Sequence, residues 1–278
     1  MNRILYSLMA SAVGVGHVWA GTLELQGQPV QGGLMQGRTD PDAEVTFDGQ
    51  SVRISKDGEF LIGFGRDAPA QAKLVVTFAD GSREWRELKV DQRKYKIQRI
   101  DGLPPRKVNP SEEDLVRIGR EAASIKKVRT RDDIRTDFLE GFIWPAKGRI
   151  TGVYGSQRIM NGEPRRPHFG LDIAAPVGTP VIAPASGIVT LTHPDMFYSG
   201  GTLILDHGHG LSSTFIHLHR ILVKEGQYVR QGDAIAEIGA TGRVTGPHLD
   251  WRINLFTRRL DPQLILKAMP APAKQASN

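Results

Sequence analysis

Most of this chain is written as short apolar runs that alternate with period two and are cut by glycine, proline or Asp-Gly pairs. Ala43-Glu44-Val45-Thr46-Phe47 alternates and ends at Asp48-Gly49. Val52 and Ile54 follow and end at Asp57-Gly58. Phe60, Ile62 and Phe64 keep the period, and the run from Leu74 to Phe78 ends at Asp80-Gly81. Alternation buries one face of a strand, and Asp-Gly tolerates the positive φ angles that a tight hairpin needs. Three such turns predict antiparallel hairpins, so residues 21–100 read as a small β-sandwich, immunoglobulin-like in architecture. The same punctuation returns after Phe142, around PVIA at 180–183, GIVTL at 187–191, TLIL at 202–205 and AIAEI at 234–238. Runs this short leave little room for helices, and residues 142–268 read as a second, antiparallel β domain. The fold class is mainly β.

Between the two lies a linker, 101–141, with one helix. DGLPPRKVNP at 101–110 is rich in proline. Asn109 would cap the helix, Pro110 suits its first position, and Glu112 completes a spacing like that of a capping box. Leu115, Ile118, Ala122 and Ile125 recur at helical spacing. Acidic and basic residues are mixed throughout 111–140, which reads as a solvated face.

Residues 1–20 combine Arg3, an apolar run from Ile4 to Val15, and Val18-Trp19-Ala20. This pattern predicts a secretory signal peptide cut before Gly21. The run is shorter than the roughly 20 apolar residues of a membrane span, and no later segment is apolar enough for stable insertion. Residues 269–278, rich in Ala, Pro, Lys and Ser, read as a disordered tail. The expected location is therefore outside the cytoplasm, with a Gram-negative periplasm the best fit. The net charge of +6 falls to about +5 without Arg3. Such a balance suits an anionic cell wall; export argues against nucleic acid as partner.

There is no cysteine. Thiolate zinc fingers, Fe–S clusters, disulfide scaffolds and cysteine nucleophiles are excluded together. Any metal must be held by His, Asp or Glu. Seven of the eight histidines (His168, His193, His207, His209, His217, His219, His248) crowd into one stretch. His168 and Asp172 lie four apart in His-Phe-Gly-Leu-Asp, an even spacing that shares a strand face. Phe215, His217 and His219 share a face by period two, as do His248 and Asp250. All are competent ligands or proton carriers, and spacing alone supplies more candidates than one zinc needs.

The ordered set His168-Phe-Gly-Leu-Asp172, Phe215-Ile-His217-Leu and Thr241-Gly-Arg-Val-Thr-Gly-Pro-His248-Leu-Asp-Trp251 resembles the lysostaphin-type zinc metallopeptidases, which cut cell-wall peptides. The resemblance covers roughly 143–262, with connecting pieces such as Ala175-Pro-Val-Gly-Thr-Pro-Val181 and Lys224-Glu-Gly-Gln-Tyr-Val229 in register. It implies a lysostaphin-like domain hydrolysing peptide cross-links of peptidoglycan. It implies His168 and Asp172 as zinc ligands and His217 and His248 as catalytic residues. The family's final H-x-H would supply the third ligand, but this chain has Asp250 there. A carboxylate binds zinc at much the same distance as imidazole, so a three-ligand site survives. Its added negative charge predicts a weaker Lewis acid, and its oxygen widens metal choice toward manganese or iron.

Arg158 would hold a substrate carboxylate or form a structural ion pair. His219 would line the cleft or support the ligands. His207 reads as structural in a turn, His193 and His209 as exposed loop residues, and Trp251 as facing the core. The N-terminal domain would position the enzyme or cover its cleft. The alternative function is a non-catalytic cell-wall regulator or binding module in the same fold, whose partner would be a cell-wall amidase or divisome protein. A biotinyl- or lipoyl-like carrier domain, similar in 223–239, lacks the lysine it would need at its hairpin tip.

Overall fold

A computed structural model describes residues 21–268. The signal segment at 1–20 and the tail at 269–278 lie outside the described residues.

The N-terminal part is a two-sheet sandwich. One sheet runs β1 (Leu23–Gln26), β2 (Leu34–Thr39), β5 (Glu59–Gly63). The other runs β4 (Gln50–Val52), β3 (Glu44–Phe47), β6 (Gln71–Thr77), β7 (Arg83–Lys89). Alternation does what the sequence pattern predicts. In β6, Ala72, Leu74 and Val76 point inward and meet Val45, Phe47, Phe60, Ile62 and Phe64 in one core. This unit ends earlier than expected. Strand β8 (Ile97–Ile100) leaves it and pairs in parallel with β10 (Gln157–Met160), which also carries β11 (Glu163–Pro164).

Helix α1 (Pro105–Val108) is a single turn, and α2 (Glu112–Arg129) is the long linker helix. Asn109 ends α1 instead of starting α2. The cap of α2 is Ser111, whose hydroxyl accepts from the Asp114 amide while the Asp114 carboxylate accepts from the Ser111 amide. Reciprocal bonds of this kind satisfy two otherwise orphaned amides, which is why the helix starts there.

The C-terminal part is built on a ten-stranded antiparallel sheet. Its main path is β17 (Tyr228–Val229), β14 (Gly187–Met196), β15 (Gly200–Asp206), β16 (Leu211–Ile221), β19 (His248–Leu255), β12 (Leu171–Ala174), β9 (Arg149–Gly152). Strands β13 (Pro180–Ile182) and β18 (Ala234–Ile238) pair beside β16, and β20 (Arg258–Leu260) pairs with β19. Helix α3 (Pro262–Ala268) closes the described chain. One face of the sheet holds the core, with Leu171, Phe215, Trp251, Ile253 and Leu255 packed together. Leu34 and Leu61 of the sandwich join the same cluster, so the two parts share apolar contact. Trp251 faces the core as its alternation with Asp250 requires.

Candidate metal centre

Strands β16, β19 and β12 set the site by register. Asp172 lies directly opposite Asp250, and Asp250 opposite Ile216, so these side chains project from one face in a row. Leu171, Trp251 and Phe215 form the matching row on the core face. Along β19 the outer row reads His248, Asp250, Arg252; the inner row reads Leu249, Trp251, Ile253. Period two therefore delivers two site residues and an arginine from one strand.

His168 precedes β12 in an irregular segment. Its amide donates to the Ser156 carbonyl (2.8 Å) and its carbonyl accepts from the Gly155 amide (2.7 Å), which fixes the backbone. His168 is 1% exposed. Its Nε2 lies 3.0 Å from Asp172 Oδ1, and its Nδ1 lies 3.9 Å from Asp250 Oδ2. Donor atoms of His168, Asp172 and Asp250 all fall within 4.8 Å of one another.

His217 reaches the site by breaking the strand pattern. Leu203 pairs with Phe215 and Gly201 with Leu218, so Ile216 and His217 together oppose the single residue Thr202. His217 sits at φ 68°. This is a β-bulge, and it reverses side-chain parity. Phe215 stays in the core while both Ile216 and His217 face the cleft. The expectation that Phe215, His217 and His219 share a face is therefore corrected. His219 is exposed and lies outside the cleft lining, at a second irregularity that follows Leu218.

The two remaining imidazoles are oriented alike. His217 Nδ1 donates to the Thr241 carbonyl (2.8 Å), and His248 Nδ1 donates to the Gly246 carbonyl (2.9 Å). A carbonyl only accepts, so each Nδ1 carries a proton. The rings stand 4.8 Å apart, and His248 Nε2 is 3.8 Å from Asp172 Oδ1. Burial pushes His217 down to about 3, with His248 adding to the effect, so the ring is neutral.

Each carboxylate also has a guanidinium. Arg158 donates to Asp172 Oδ2 (2.9 Å). Arg252 forks onto Asp250, with Nε at 3.0 and 3.2 Å from the two oxygens and Nη2 at 2.6 Å from Oδ2. Arg158 is thus an ion-pair partner of Asp172. Burial opposes the charged form of Asp250, but Arg252 and His168 hold it well below the usual carboxylate range. Asp172 is also lowered, by His168 and Arg158 against the penalty of burial and the nearby Asp250.

The residues fit a divalent cation. Both ring nitrogens of His168 and Oδ1 of Asp172 are buried without a hydrogen-bond partner. Such atoms cost about 1–3 kcal/mol each unless something fills their valence, and one ligand atom from each of the three residues lies in the cluster. Asp250 keeps lone pairs beyond those taken by Arg252, since a carboxylate has about four acceptor positions. Glycines clear the space. A Cβ on Gly170 would lie 2.0 Å from Asp250 Oδ1, and one on Gly152 would lie 2.1 Å from Asp172 Oδ2.

Beside this centre opens a cavity of about 590 Å³ lined by His217, Arg158, Arg243, Arg252 and Arg259. Its roof is α2, through Leu115, Ile118, Gly119 and Ala122. The apolar stripe that recurs at helical spacing is the side of this helix that lies over the cleft. None of the sandwich residues lines this cavity. Of the other histidines, His207 is wholly buried, bonded to the Ser186 carbonyl and the Ser213 hydroxyl. His209 is buried against Phe138 and His193 is half-buried in β14; neither is an exposed loop residue. Of the cavity arginines, Arg158 stands out in the sequence, whereas Arg243, Arg252 and Arg259 carry no motif that marks them. Arg252 was within reach, two residues after Asp250 on the same strand face.

Residues 166–262 match the model of peptidase family M23. A solved Pseudomonas aeruginosa structure assigned to peptidase M23 aligns at 30% identity with a TM-score of 0.67, covering 88% of this chain and 97% of that one. This chain belongs to peptidase family M23. Peptidoglycan DD-endopeptidase ShyA of Vibrio cholerae serotype O1 is 37% identical over 135 residues, which is 48% of this chain and 28% of ShyA. ShyB of the same organism is 43% identical over 97 residues, 34% of this chain and 22% of ShyB. The chain thus matches about a quarter of the length of these M23 relatives. Asp250 and its partner Arg252 both lie within the matched residues.

Proposed function

We propose that this protein is an exported, metal-dependent endopeptidase that hydrolyses peptide cross-links of bacterial peptidoglycan. The observation that carries the reading is the convergence of His168, Asp172 and Asp250, with orphaned ligand atoms, beside two imidazoles whose Nδ1 atoms are held by backbone carbonyls. The similarity to two peptidoglycan endopeptidases supports the substrate class. No helix among the described residues is long and apolar enough to cross a membrane. The Gram-negative relatives favour the periplasm as the location.

His168, Asp172 and Asp250 would hold the metal: zinc first, with manganese or iron open to an oxygen-rich donor set. When bound, it would polarise the scissile carbonyl and acidify a water. His217, neutral through burial and fixed by Thr241, accepts a proton at Nε2. His217 would then hand that proton on to the leaving amine, and His248, fixed by Gly246 and nearer the open side, would stand beside the reacting carbonyl. Arg158 and Arg252 keep the two carboxylates aimed and charged. Incubation of purified sacculi with metal-loaded His217→Ala or His248→Ala tests the assignment. Each should lose about 100-fold or more in rate; full activity in either would overturn it.

One observation favours the second reading, a non-catalytic wall regulator acting with an amidase or divisome protein. Arg158 and Arg252 neutralise both carboxylates without a metal. That reading predicts no stoichiometric metal in protein purified without chelator and no soluble products from sacculi.

A further inference from the structure

Beneath the C-terminal half of α2 the cleft continues into a smaller cavity of about 280 Å³. Lys126, Arg129, Arg252 and Arg259 line it together with Ser199, Thr202, Thr214 and Thr257. It contains no carboxylate, and neither does the lining of the adjoining larger cavity. Arg252 is committed to Asp250. Arg129 and Arg259 have no ion-pair partner among the described residues. Arg129 Nη2 donates to the Thr214 hydroxyl (3.0 Å), while its Nε is buried with no partner at all. Arg259 sits over Phe169, its Cζ 4.3 Å from the ring centroid. Burial presses Arg129 down to about 9, with Arg259 and Arg252 adding repulsion. Guanidinium groups do not give up a proton at neutral pH, so they remain as crowded like charges. Removing water from such charges without a counter-ion is costly. A planar donor fork beside hydroxyls, with no protein acid in reach, is matched by carboxylate or phosphate oxygens.

We propose that Arg129 and Arg259, with the Thr214 hydroxyl, form an oxyanion site between α2 and the sheet, separate from the metal ligands. It would take a carboxylate or phosphate group, whether free inorganic phosphate or the carboxylate of a wall peptide. Arg129 belongs to the last turn of α2 and Arg259 to β20. The bound anion therefore bridges the roof to the floor of the cleft and holds the roof down. The inference does not depend on the proposed hydrolysis.

The test is thermal unfolding of the full chain in a chloride buffer at fixed ionic strength, titrated with inorganic phosphate or with glutarate. Titrations are run before and after chelation, because an anion held at a metal is lost with that metal. The wild type should gain about 5–10 °C at a hundredfold excess over Kd, chelated or not. Arg259→Met and Arg129→Met should each lose the saturable gain. In the anion-free buffer Arg129→Met should melt at or above the wild type, since it removes an uncompensated buried charge. A purely structural tether predicts a lower melting point in both buffers and would overturn the proposal. So would an unchanged phosphate response in the double variant, or a gain that disappears on chelation. A response to glutarate as well as phosphate identifies the carboxylate source as competent; a response to phosphate alone restricts the site to phosphate.

Discussion

Arg252→Met isolates the pair that most distinguishes this centre. The guanidinium supplies bonds at 2.6, 3.0 and 3.2 Å to a carboxylate that is 0% exposed. Removing one partner of a buried ion pair leaves the other uncompensated, at a cost of roughly 3–5 kcal/mol. For a chain of this size that corresponds to a fall of about 10 °C in Tm for metal-free protein. A divalent cation at Asp250 supplies the missing positive charge. The deficit of the variant should therefore shrink by more than half when zinc is added, and its zinc-dependent rise in Tm should exceed that of the wild type. Calorimetry of both proteins, with chelator and with one equivalent of zinc, reads the difference. An equal deficit in both metal states would show that Asp250 does not face the cation, and the three-ligand assignment would fall.

Asp250→Ala should lose most bound metal in elemental analysis; retention of one equivalent would remove Asp250 from the ligand set. Asp250→His supplies the imidazole that the lysostaphin-type resemblance implies but strips Arg252 of its partner. It should lower the metal-free Tm, and only Asp250→His with Arg252→Met should recover it. His207 is neutral and buried, held down to about 4 mainly by desolvation. The unfolded chain protonates near pH 6.5, so its contribution is full above that value and lost as pH falls toward 4, by roughly 3 kcal/mol. Urea unfolding at pH 7 and pH 4.5 should show this loss, and His207→Gln should flatten it. Glu121 accepts from the Phe197 amide (2.8 Å) and from Arg117, pinning α2 over the cleft. Glu121→Ala should raise turnover of a small cross-linked peptide, whereas deleting residues 21–108 should change it less; the reverse order would place the cover in the sandwich.

Much of this was legible in the residues because period two is a local rule. His248, Asp250 and Trp251 fall on the faces their spacing assigns, and hairpins close at Asp48-Gly49 and Asp80-Gly81, while Asp57-Gly58 turns the chain from one sheet to the other. His217 and His219 show where locality stops. A two-to-one bulge opposite Thr202 and a positive φ reverse parity, and nothing in Phe-Ile-His-Leu-His marks the extra residue. His209 is buried by Phe138 from a distant segment, an exposure that sequence context does not report. The pairing of the last strand before 101 is non-local for a similar reason. Ile97–Ile100 alternates like the sandwich strands, yet its pairing partner is β10. Helix α2 reads as amphipathic with a mixed polar face, but only the tertiary fold shows that its apolar side covers the metal centre. The cap moved from Asn109 to Ser111 because Ser111 and Asp114 satisfy each other's amides, while Asn109 is taken up in ending α1.

The central claim is that this chain cuts peptide links in the wall through its metal centre. Mass spectrometry of the muropeptides released from purified sacculi by the zinc-loaded protein tests it most directly. The account predicts that cross-linked dimers decline, that uncross-linked stem peptides with a new free amine increase, and that both changes vanish with chelator or in His217→Ala. An unchanged muropeptide profile, from protein shown to hold one equivalent of zinc, would contradict it.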